Sequence, residues 1–385
     1  MKVCFITPYP PAGGGLGYYT KRLVKYLRRM KVDVSLILNR YVHFSSEKIQ
    51  YTCLGIANLG STLNFLKKVA PDIIHIQYTI PSYLLTVFHL WVILALHSKI
   101  LKIPIFITLH DISTEINRFG YLGIFYYKLM SYFIDKFLVH TNEAKKYLIY
   151  RCKISSKKVS YMPHGFYEVD RNNVYLNKLK SEWHLEGKKI ILFFGFIRPS
   201  KGIETLIEAI KIIKEMKKIE NYIVLIVGDV RKRNGILGKL FQKRDEKYYG
   251  YLMTLVKKHS LEDIIKFKKM FLPEHMVFSL FTLCDVVVLP YNCAEESGVL
   301  NIALAIPKPI IATAVGGIKE LLQEVGIIVP PKSPNELAEK IVEVLNSEDL
   351  RNALIKKYKK LYESLNPRVI AKLHYTLYKQ WCKNG

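Results

Sequence analysis

The chain has 385 residues, half of them hydrophobic, which is enough for two hydrophobic cores rather than one. Lys and Arg outnumber Asp and Glu by 58 to 32, and the net charge of +26 predicts an anionic partner: phosphate groups, nucleic acid or a membrane surface. The six cysteines are scattered, without a CxxC pair or a histidine at zinc spacing, which favours reduced thiols in a cytoplasmic protein and argues against a metal site.

The predicted strands alternate with amphipathic helices, a pattern typical of parallel sheets covered on both faces. In the first half the strands are 3–7, 32–38, 73–78, 103–109, 136–141 and 159–163. In the second half they are 190–196, 222–228, 264–269, 285–290, 309–314 and 327–330. A polar segment at 167–188 separates two doubly wound α/β halves.

No secretion signal is predicted, because the first apolar run is only as long as a strand. The longest apolar stretch, 80–96, falls short of the roughly 20 residues that a membrane span needs, and it contains Pro81 and His89. It is interpreted as a helix packed into the protein, with contact to one side of a membrane as the alternative.

A glycine-rich turn follows the first predicted strand. Gly13, Gly14, Gly15 and Gly17 would let the backbone approach a ligand closely, although Tyr18 replaces the third glycine of the dinucleotide-binding fingerprint. The turn therefore favours a ligand-binding loop but argues against a dehydrogenase. A flexible turn without a ligand is the alternative.

Two cations follow strand 190–196, where a helix is predicted to begin near Gly202. Arg198 and Lys201 would neutralise a diphosphate, the Arg through bidentate hydrogen bonds and the Lys as a point charge, at a helix N-terminus that also favours anions. A solvated surface pair is the alternative interpretation.

Strand 285–290 leads into a second polar loop. Glu295 and Glu296 could hold sugar hydroxyls, and the amides of Ser297, Gly298 and Val299 could bind the same diphosphate. Exposed carboxylates that cap the next helix are the alternative.

His110 follows strand 103–109 and is a candidate to contact the ligand from the first half of the chain. Taken alone, a buried and hydrogen-bonded histidine explains it equally well.

Seven stretches in order resemble the nucleotide-sugar-dependent glycosyltransferases of family four. They are "GGLGYYTKRLVKYL", "DIIHIQY", "TLHD", "PHG", "GFIRPSKGIETLIEAI", "IVGD" and "SGVLNIALAIPKPIIATAVGGIKELL". The resemblance implies the GT-B architecture: two doubly wound Rossmann-like domains facing each other across a cleft. It implies a first domain at 1–178, a second at 179–366, and a C-terminal helix at 367–385 that packs back on the first.

The same resemblance implies a retaining hexosyltransferase without a metal or a tightly bound cofactor. It would move a sugar from a UDP-, GDP- or ADP-sugar to a glycan or lipid-linked acceptor. By resemblance, Arg198 and Lys201 hold the donor diphosphate with help from the Ser297–Val299 amides, Gly14–Gly17 cap the phosphates and the acceptor, and His110 contacts the donor sugar.

One departure from the family pattern concerns the nucleotide ribose. The family commonly carries two glutamates eight positions apart, and the second would fall at Ile302, which offers no hydrogen bond. Asn301 is the candidate to replace it, and the first glutamate would fall at Ala294, just before Glu295 and Glu296.

Two basic segments predict peripheral binding to an anionic membrane surface, with solvated surface loops as the alternative. One is the exposed arc of the first helix, formed by Lys21, Arg22, Lys25, Arg28 and Arg29. The other is segment 231–244, in which cations alternate with apolar residues.

Three other functions share some of these features. A nucleic-acid-binding protein is disfavoured because no zinc knuckle, aromatic RNA-binding run or helix-turn-helix is found. An epimerase or hydrolase of nucleotide sugars with the same fold, or a catalytically silent homologue that only binds its ligand, would share these motifs.

Overall fold

The computed structural model describes residues 1–10, 14–39, 49–54, 59–79, 103–165, 167, 174–232, 235–294 and 297–384. The predictions made for Gly13, Glu295, Glu296 and the apolar stretch 80–96 lie outside these residues. The chain divides into two compact units: a first unit of Met1–Gly165 with Leu365–Gly385, and a second unit of Phe166–Ser364.

The first unit is a parallel sheet with helices. Its strands are β1 (Lys2–Thr7), β2 (Asp33–Leu38), β3 (Tyr51–Cys53), β4 (Ile73–Tyr78), β5 (Ile105–Leu109), β6 (Lys136–Val139) and β7 (Val159–Tyr161). Its helices are α1 (Gly14–Arg29), α2 (Leu59–Val69), α3 (Ile112–Phe119), α4 (Tyr121–Met130) and α5 (Asn142–Lys146), the last of which continues as a π-helical turn at Tyr147–Arg151. The strand order is β3-β2-β1-β4-β5-β6-β7.

Both faces of this sheet are buried, which explains why its strands read as nearly continuous apolar runs. Along β1, Val3 and Phe5 enter one core cluster while Cys4 and Ile6 enter the other. The period of two along a strand thus distributes one apolar segment between two cores.

Helix α14 (Pro367–Asn384) contributes to the core that contains Val3 and Phe5. Ala371 and Tyr378 are fully buried there, and the Tyr378 hydroxyl hydrogen-bonds Nδ1 of His75 on β4. The helix also contacts α1. A segment far along the chain therefore completes the first unit.

The second unit repeats the parallel α/β plan. Its strands are β8 (Lys189–Phe194), β9 (Tyr222–Val227), β10 (Ile265–Lys268), β11 (Val286–Leu289), β12 (Ile310–Thr313) and β13 (Ile327–Val329), in the order β10-β9-β8-β11-β12-β13. Its helices are α6 (Val174–Trp183), α7 (Ile203–Met216), α8 (Ile236–Lys258), α9 (Glu274–Leu283), α10 (Gly298–Ala305), α11 (Gly316–Leu322), α12 (Pro334–Asn346) and α13 (Glu348–Leu365).

All twelve predicted strands are present, so the prediction of two doubly wound α/β halves is confirmed. Strand β3 was not predicted; it has three half-buried residues at the edge of the first sheet. The domain boundary also differs: the expected break at 178/179 falls inside α6, whereas the structure divides the chain at 165/166. Helix α6 belongs to the second unit because it packs on α9, and its Leu179 is buried.

Candidate functional site

The topology of the second unit identifies the ligand-binding edge of its sheet. Strands β8 and β11 are neighbours, although β9 and β10 intervene in sequence on the other side of β8. This is the point at which the strand order reverses, and open α/β sheets bind ligands beyond the carboxyl ends of their strands at such a point. The loops that follow β8 and β11 carry Arg198, Lys201 and Ser297.

The loop after β8 ends in a single 3₁₀ turn, Pro199–Lys201, followed by Gly202. Gly202 has φ 60° and ψ 32°, and a β-carbon on it would overlap the carbonyl oxygen of Pro290. The two loops thus approach so closely that only glycine fits between them.

Side chains also connect the two loops. Asn292 donates from Nδ2 to the carbonyl of Pro199 at 3.0 Å and to Oε1 of Glu204 at 3.0 Å, and its amide donates to the carbonyl of Ser200 at 3.0 Å. These bonds fix the backbone on both sides of Lys201, so the position of its side chain is set by the fold.

Lys201 is enclosed rather than solvated. Only 8 % of it is exposed, and its Nζ lies 3.4 Å from the centre of the Tyr291 ring, the distance of a cation–π contact. Burial raises the pKa of Tyr291 to about 12, while the hydrogen bond with Ser297 and the charge of Arg198 act in the opposite direction. Tyr291 therefore faces Lys201 as a neutral phenol.

Arg198 lies beside this pair and carries a buried donor. Among the described residues its Nε finds no hydrogen-bond acceptor. A buried donor without a partner costs about 1–3 kcal/mol, a cost that a bound anion would remove. The residue type and the position both suit a phosphate oxygen.

The start of α10 forms the second part of this site. Ser297 is the N-cap, and its Oγ accepts from the amide of Leu300 at 3.2 Å. A β-carbon on Gly195 would lie 3.5 Å from Cγ2 of Val299, so the first turn of α10 lies next to the end of β8. Gly298 is exposed, which leaves the predicted amide contact with a ligand sterically possible.

The helix amides near Lys201 contribute less than the sequence suggests. The amide of Ile203 donates to the Tyr248 hydroxyl at 3.1 Å, and that of Thr205 donates to the carbonyl of Gly202 at 3.0 Å. The anion site at this loop thus depends on the two cations more than on the start of α7.

The ribose prediction concerns two neighbours on α10. Asn301 is 5 % exposed and Ile302 is 8 % exposed, so both point largely into the second unit. Ile302 packs as a core residue, which explains an apolar side chain at that position. The role of Asn301 in ribose recognition stays a prediction.

In the first unit the glycine-rich turn leads directly into α1. A β-carbon on Gly17 would lie 3.3 Å from Tyr9 and Pro10, whereas one on Gly15 would meet nothing within 4 Å. Thr7 at the end of β1 and Thr20 on α1 share a hydrogen bond of 2.8 Å that fixes the helix to the strand. The helix begins at Gly14, and the contact of Gly14–Gly17 with a ligand stays a prediction.

His110 directly follows β5 and is 9 % exposed, with its Nε2 2.9 Å from Oε1 of Gln77. Its ring centre lies 4.6 Å from that of His140 and 6.0 Å from that of His164. Tyr19 on α1 packs against all three rings.

The histidine cluster holds its rings neutral. Burial lowers the pKa of His110 and His140 well below the usual 6.5, and the neighbouring histidines add to the shift. Burial lowers the pKa of His164 to about 4, and the charge of Arg22 acts in the same direction.

The structure thus brings Arg198, Lys201 and Ser297–Val299 together in the second unit, and places Gly14–Gly17 and His110 in the first. Sequence reasoning missed Tyr291, Asn292, His140 and His164. His164 carried one usable signal, since it directly follows the predicted strand 159–163, whereas His140 lies inside the predicted strand 136–141. Tyr291 carried none beyond its place after Pro290.

Two family models match the chain. "Glycosyltransferase Family 4" matches residues 13–167, and "Glycosyl transferases group 1" matches residues 177–361. An uncharacterised glycosyltransferase of Methanocaldococcus jannaschii is 26 % identical over 371 residues, which cover 92 % of this chain and 91 % of that protein.

Solved structures with a similar fold cover nearly the whole chain. Sucrose-phosphate synthase of Thermosynechococcus elongatus superposes with a TM-score of 0.75 and 20 % identity over all of both chains. The HepE protein of Anabaena, in complex with UDP and glucose, superposes with a TM-score of 0.73 and 16 % identity over 99 % of this chain and all of that one.

Proposed function

Because the chain belongs to the family-four glycosyltransferases and has their two-domain α/β GT-B fold, we propose that it transfers a sugar from a nucleotide diphosphate sugar with retention of anomeric configuration. The acceptor in this proposal is a glycan or a lipid-linked molecule. That the protein is a glycosyltransferase follows from its family; the donor class, the stereochemistry and the acceptor are the proposed part.

The observation that carries the proposal is the cationic corner after β8. Arg198 has a buried Nε without an acceptor among the described residues, and Lys201 is held against Tyr291 next to it. Two cations in a largely dry corner would bind a diphosphate with little reorganisation.

This corner would act on the leaving group. When the bond between the anomeric carbon and the phosphate oxygen breaks, positive charge develops on the sugar and negative charge on the departing nucleoside diphosphate. Preorganised cations stabilise that negative charge in the transition state. The acceptor hydroxyl would attack from the face that the diphosphate leaves and pass its proton to a phosphate oxygen, so the mechanism needs no protein nucleophile.

The base of the donor is best sought by binding. The Anabaena protein was solved with UDP and with UDP-glucose, and UDP-sugars are therefore the first candidates here. A panel of UDP-, GDP- and ADP-sugars would be screened for an increase in the unfolding temperature, because a ligand that binds the native state stabilises it according to its affinity.

Product analysis with the best donor tests the reaction itself. A transferase forms a new glycoside and free nucleoside diphosphate only when acceptor is present. Release of sugar without acceptor indicates a hydrolase, a changed sugar on intact nucleotide indicates an epimerase, and binding without turnover indicates a silent homologue. Inversion at the anomeric carbon would contradict the retaining part of the proposal.

Peripheral membrane binding is the proposed route to a lipid-linked acceptor. On α1, Lys21, Lys25, Arg28 and Arg29 are exposed, while the apolar arc that includes Leu23 is buried. Among the described residues, no helix is both long and apolar enough to cross a membrane.

Two further surfaces support this part of the proposal. In segment 231–244 the described cations Arg231, Lys232, Lys239, Lys243 and Arg244 are exposed, and Leu240 is 59 % exposed among them. Helix α4 and its flank also expose large side chains: Tyr121, Leu122, Phe125 and Tyr132 are 64–90 % exposed. Cations mixed with apolar side chains suit the headgroup region of an anionic bilayer.

Flotation tests the membrane part separately. The protein should rise with vesicles that contain anionic lipid and remain below with neutral vesicles, and binding should weaken with salt. Replacement of Leu122 and Phe125 by Ser should reduce flotation more than replacement of Lys257 by Ala, an exposed cation outside these surfaces. A protein that stays in solution with anionic vesicles at low salt contradicts the idea.

A further inference from the structure

Three histidines meet at the carboxyl ends of three adjacent strands of the first unit. His110 directly follows β5, His140 directly follows β6, and His164 comes three residues after β7. The strands are parallel neighbours in the order β5-β6-β7, so their ends lie side by side. One ring nitrogen of each histidine lies within 4.8 Å of those of the other two. Residues distant in sequence thus form one cluster of nitrogen ligands.

Each ring engages one nitrogen with an oxygen acceptor. Nε2 of His110 donates to Oε1 of Gln77 at 2.9 Å, and Nδ1 of His140 donates to the carbonyl of Met162 at 2.7 Å. Nδ1 of His164 lies 3.0 Å from the carbonyl of Gly165. Histidines that bind metals almost always donate their other N–H to such an acceptor, which fixes the ring and the tautomer.

The Gln77 amide is itself oriented. Its Nε2 lies 3.4 Å from Nε2 of His75, which also meets the hydroxyl of Thr108 at 2.7 Å. With its amino group turned to His75, Gln77 presents its oxygen to His110. The His110 ring is thereby held with its lone pair on Nδ1.

The ring of His140 has a buried nitrogen that is not hydrogen-bonded within the described part of the chain. The residue is 6 % exposed, and its Nε2 finds no hydrogen-bond donor among the described residues. Since Nδ1 carries the proton, Nε2 is a buried lone pair. Leaving such a group unpaired costs about 1–3 kcal/mol, which a bound cation would offset.

We propose that His110, His140 and His164 form a binding site for a divalent transition metal of the zinc class, with the fourth position left to water or an anionic oxygen. Zinc–nitrogen bonds of about 2.0–2.1 Å place tetrahedral ligand nitrogens roughly 3.4 Å apart, so the rings need only close together slightly. Neutral imidazoles are the form that binds metal, and all three are neutral here.

The charges around the cluster determine its fourth ligand. The three histidines leave the full 2+ charge on the metal, and Arg22 lies close enough to His164 to lower the pKa of that ring. An anionic oxygen would therefore be favoured at the open position over a second neutral ligand. This proposal departs from the family resemblance, which implies no metal and assigns His110 to the donor sugar, and it does not depend on the proposed sugar transfer.

The test measures metal directly. The full chain is freed of metal with a chelator, titrated with Zn²⁺ and analysed by calorimetry and by elemental analysis after desalting. We expect one Zn²⁺ per chain, and a visible absorption band typical of four-coordinate Co²⁺ when Co²⁺ replaces it. His140→Ala and His164→Ala should each weaken Zn²⁺ binding by at least about 100-fold.

The matched control is His184→Asn, an exposed histidine of the second unit whose φ of 54° Asn tolerates. The measurements use a Cys293→Ser, Cys382→Ser background, since these two thiols are exposed and could bind Zn²⁺ themselves. Circular dichroism in chelator tests whether each variant is folded, and His164, which is only partly buried, provides the variant least expected to disturb folding. No bound Zn²⁺ in the parent chain, or equal binding in the folded His164→Ala variant, overturns the proposal.

Discussion

The ammonium nitrogen of Lys201 lies 3.4 Å from the centre of the Tyr291 ring, and the two residues come from loops that follow adjacent strands. Lys201 thus lies against the face of an aromatic ring, which attracts the ammonium group. A cation held in this way can still attract a phosphate. A guanidinium is a planar fork whereas an ammonium is a compact point charge, so Lys201→Arg is not a conservative change.

Loss of either cation should slow sugar transfer. Arg198→Ala and Lys201→Ala are each expected to reduce turnover at least about 100-fold, because removing one preorganised donor typically costs about 3 to 4 kcal/mol of barrier. Steady-state kinetics with the identified donor measures the effect. Lys257→Ala, which removes an exposed charge at the end of α8, is the control and should leave turnover unchanged. Near-normal turnover in both site variants would remove the diphosphate role.

Gly202→Ala should destabilise the second unit and displace the cationic loop. The substitution puts a β-carbon into the carbonyl oxygen of Pro290 and also requires a left-handed backbone. Gly187→Ala is the matched control, since Gly187 has φ 67° but open space around its β-carbon position. The control should lose only about 1–2 kcal/mol for the backbone. Denaturant unfolding of the two variants compares them, and equal losses would show that the loops can separate without cost.

Ser297→Ala should cost about 1 kcal/mol of folding stability, because it removes the side-chain acceptor for the amide of Leu300. It should also weaken donor binding, since the start of α10 would lose its fixed position. Ser333 begins α12 without a side-chain cap bond, so Ser333→Ala is expected to change stability much less. Equal stability of the two variants would argue that the Ser297 cap contributes nothing.

His374 should make folding stability depend on pH. The residue is fully buried on α14, and burial lowers its pKa from 6.5 to about 4. The unfolded chain therefore binds a proton that the folded chain does not between these two values, so stability is fully present above pH 6.5 and falls as the pH drops towards 4. The loss from this residue is about 3 kcal/mol.

Comparison with His374→Leu isolates that contribution. Unfolding of both proteins in denaturant from pH 7 to pH 4 should show a smaller decline for the variant, because the other titrating groups are shared. Parallel curves for the parent and His374→Leu would show that the ring takes up its proton at the same pH in the folded and the unfolded chain, and would contradict the lowered pKa.

The fold was largely predictable because buried parallel strands are continuous apolar runs. All six residues of β4 are buried, and the predicted strand has the same bounds as the observed one. β3 is short and half-buried, so it lacks the apolar run by which a strand is predicted. The predicted boundary differs because the segment around α6 looks polar. Local composition does not show that α6 packs on α9 or that Leu179 is buried.

The site was predictable only where its residues follow one strand closely. Arg198 and Lys201 stand three positions apart after β8, so their proximity is local. The contact between Lys201 and Tyr291 instead depends on the pairing of β8 with β11, which the sequence does not show. The histidine cluster requires the alignment of three strands, and a search for zinc ligands close together in sequence could not find it.

The hydrogen bond between His75 and Tyr378 joins positions 303 residues apart. Translation at about 5 to 20 residues per second separates their synthesis by roughly 15 to 60 s. Throughout that interval the imidazole on β4 lacks its phenol partner, and the apolar side of the early sheet lacks its cover. The nascent polypeptide must therefore wait with an incomplete N-terminal half while the whole second unit is made, and chaperones that shield apolar surface would have their greatest effect in this period.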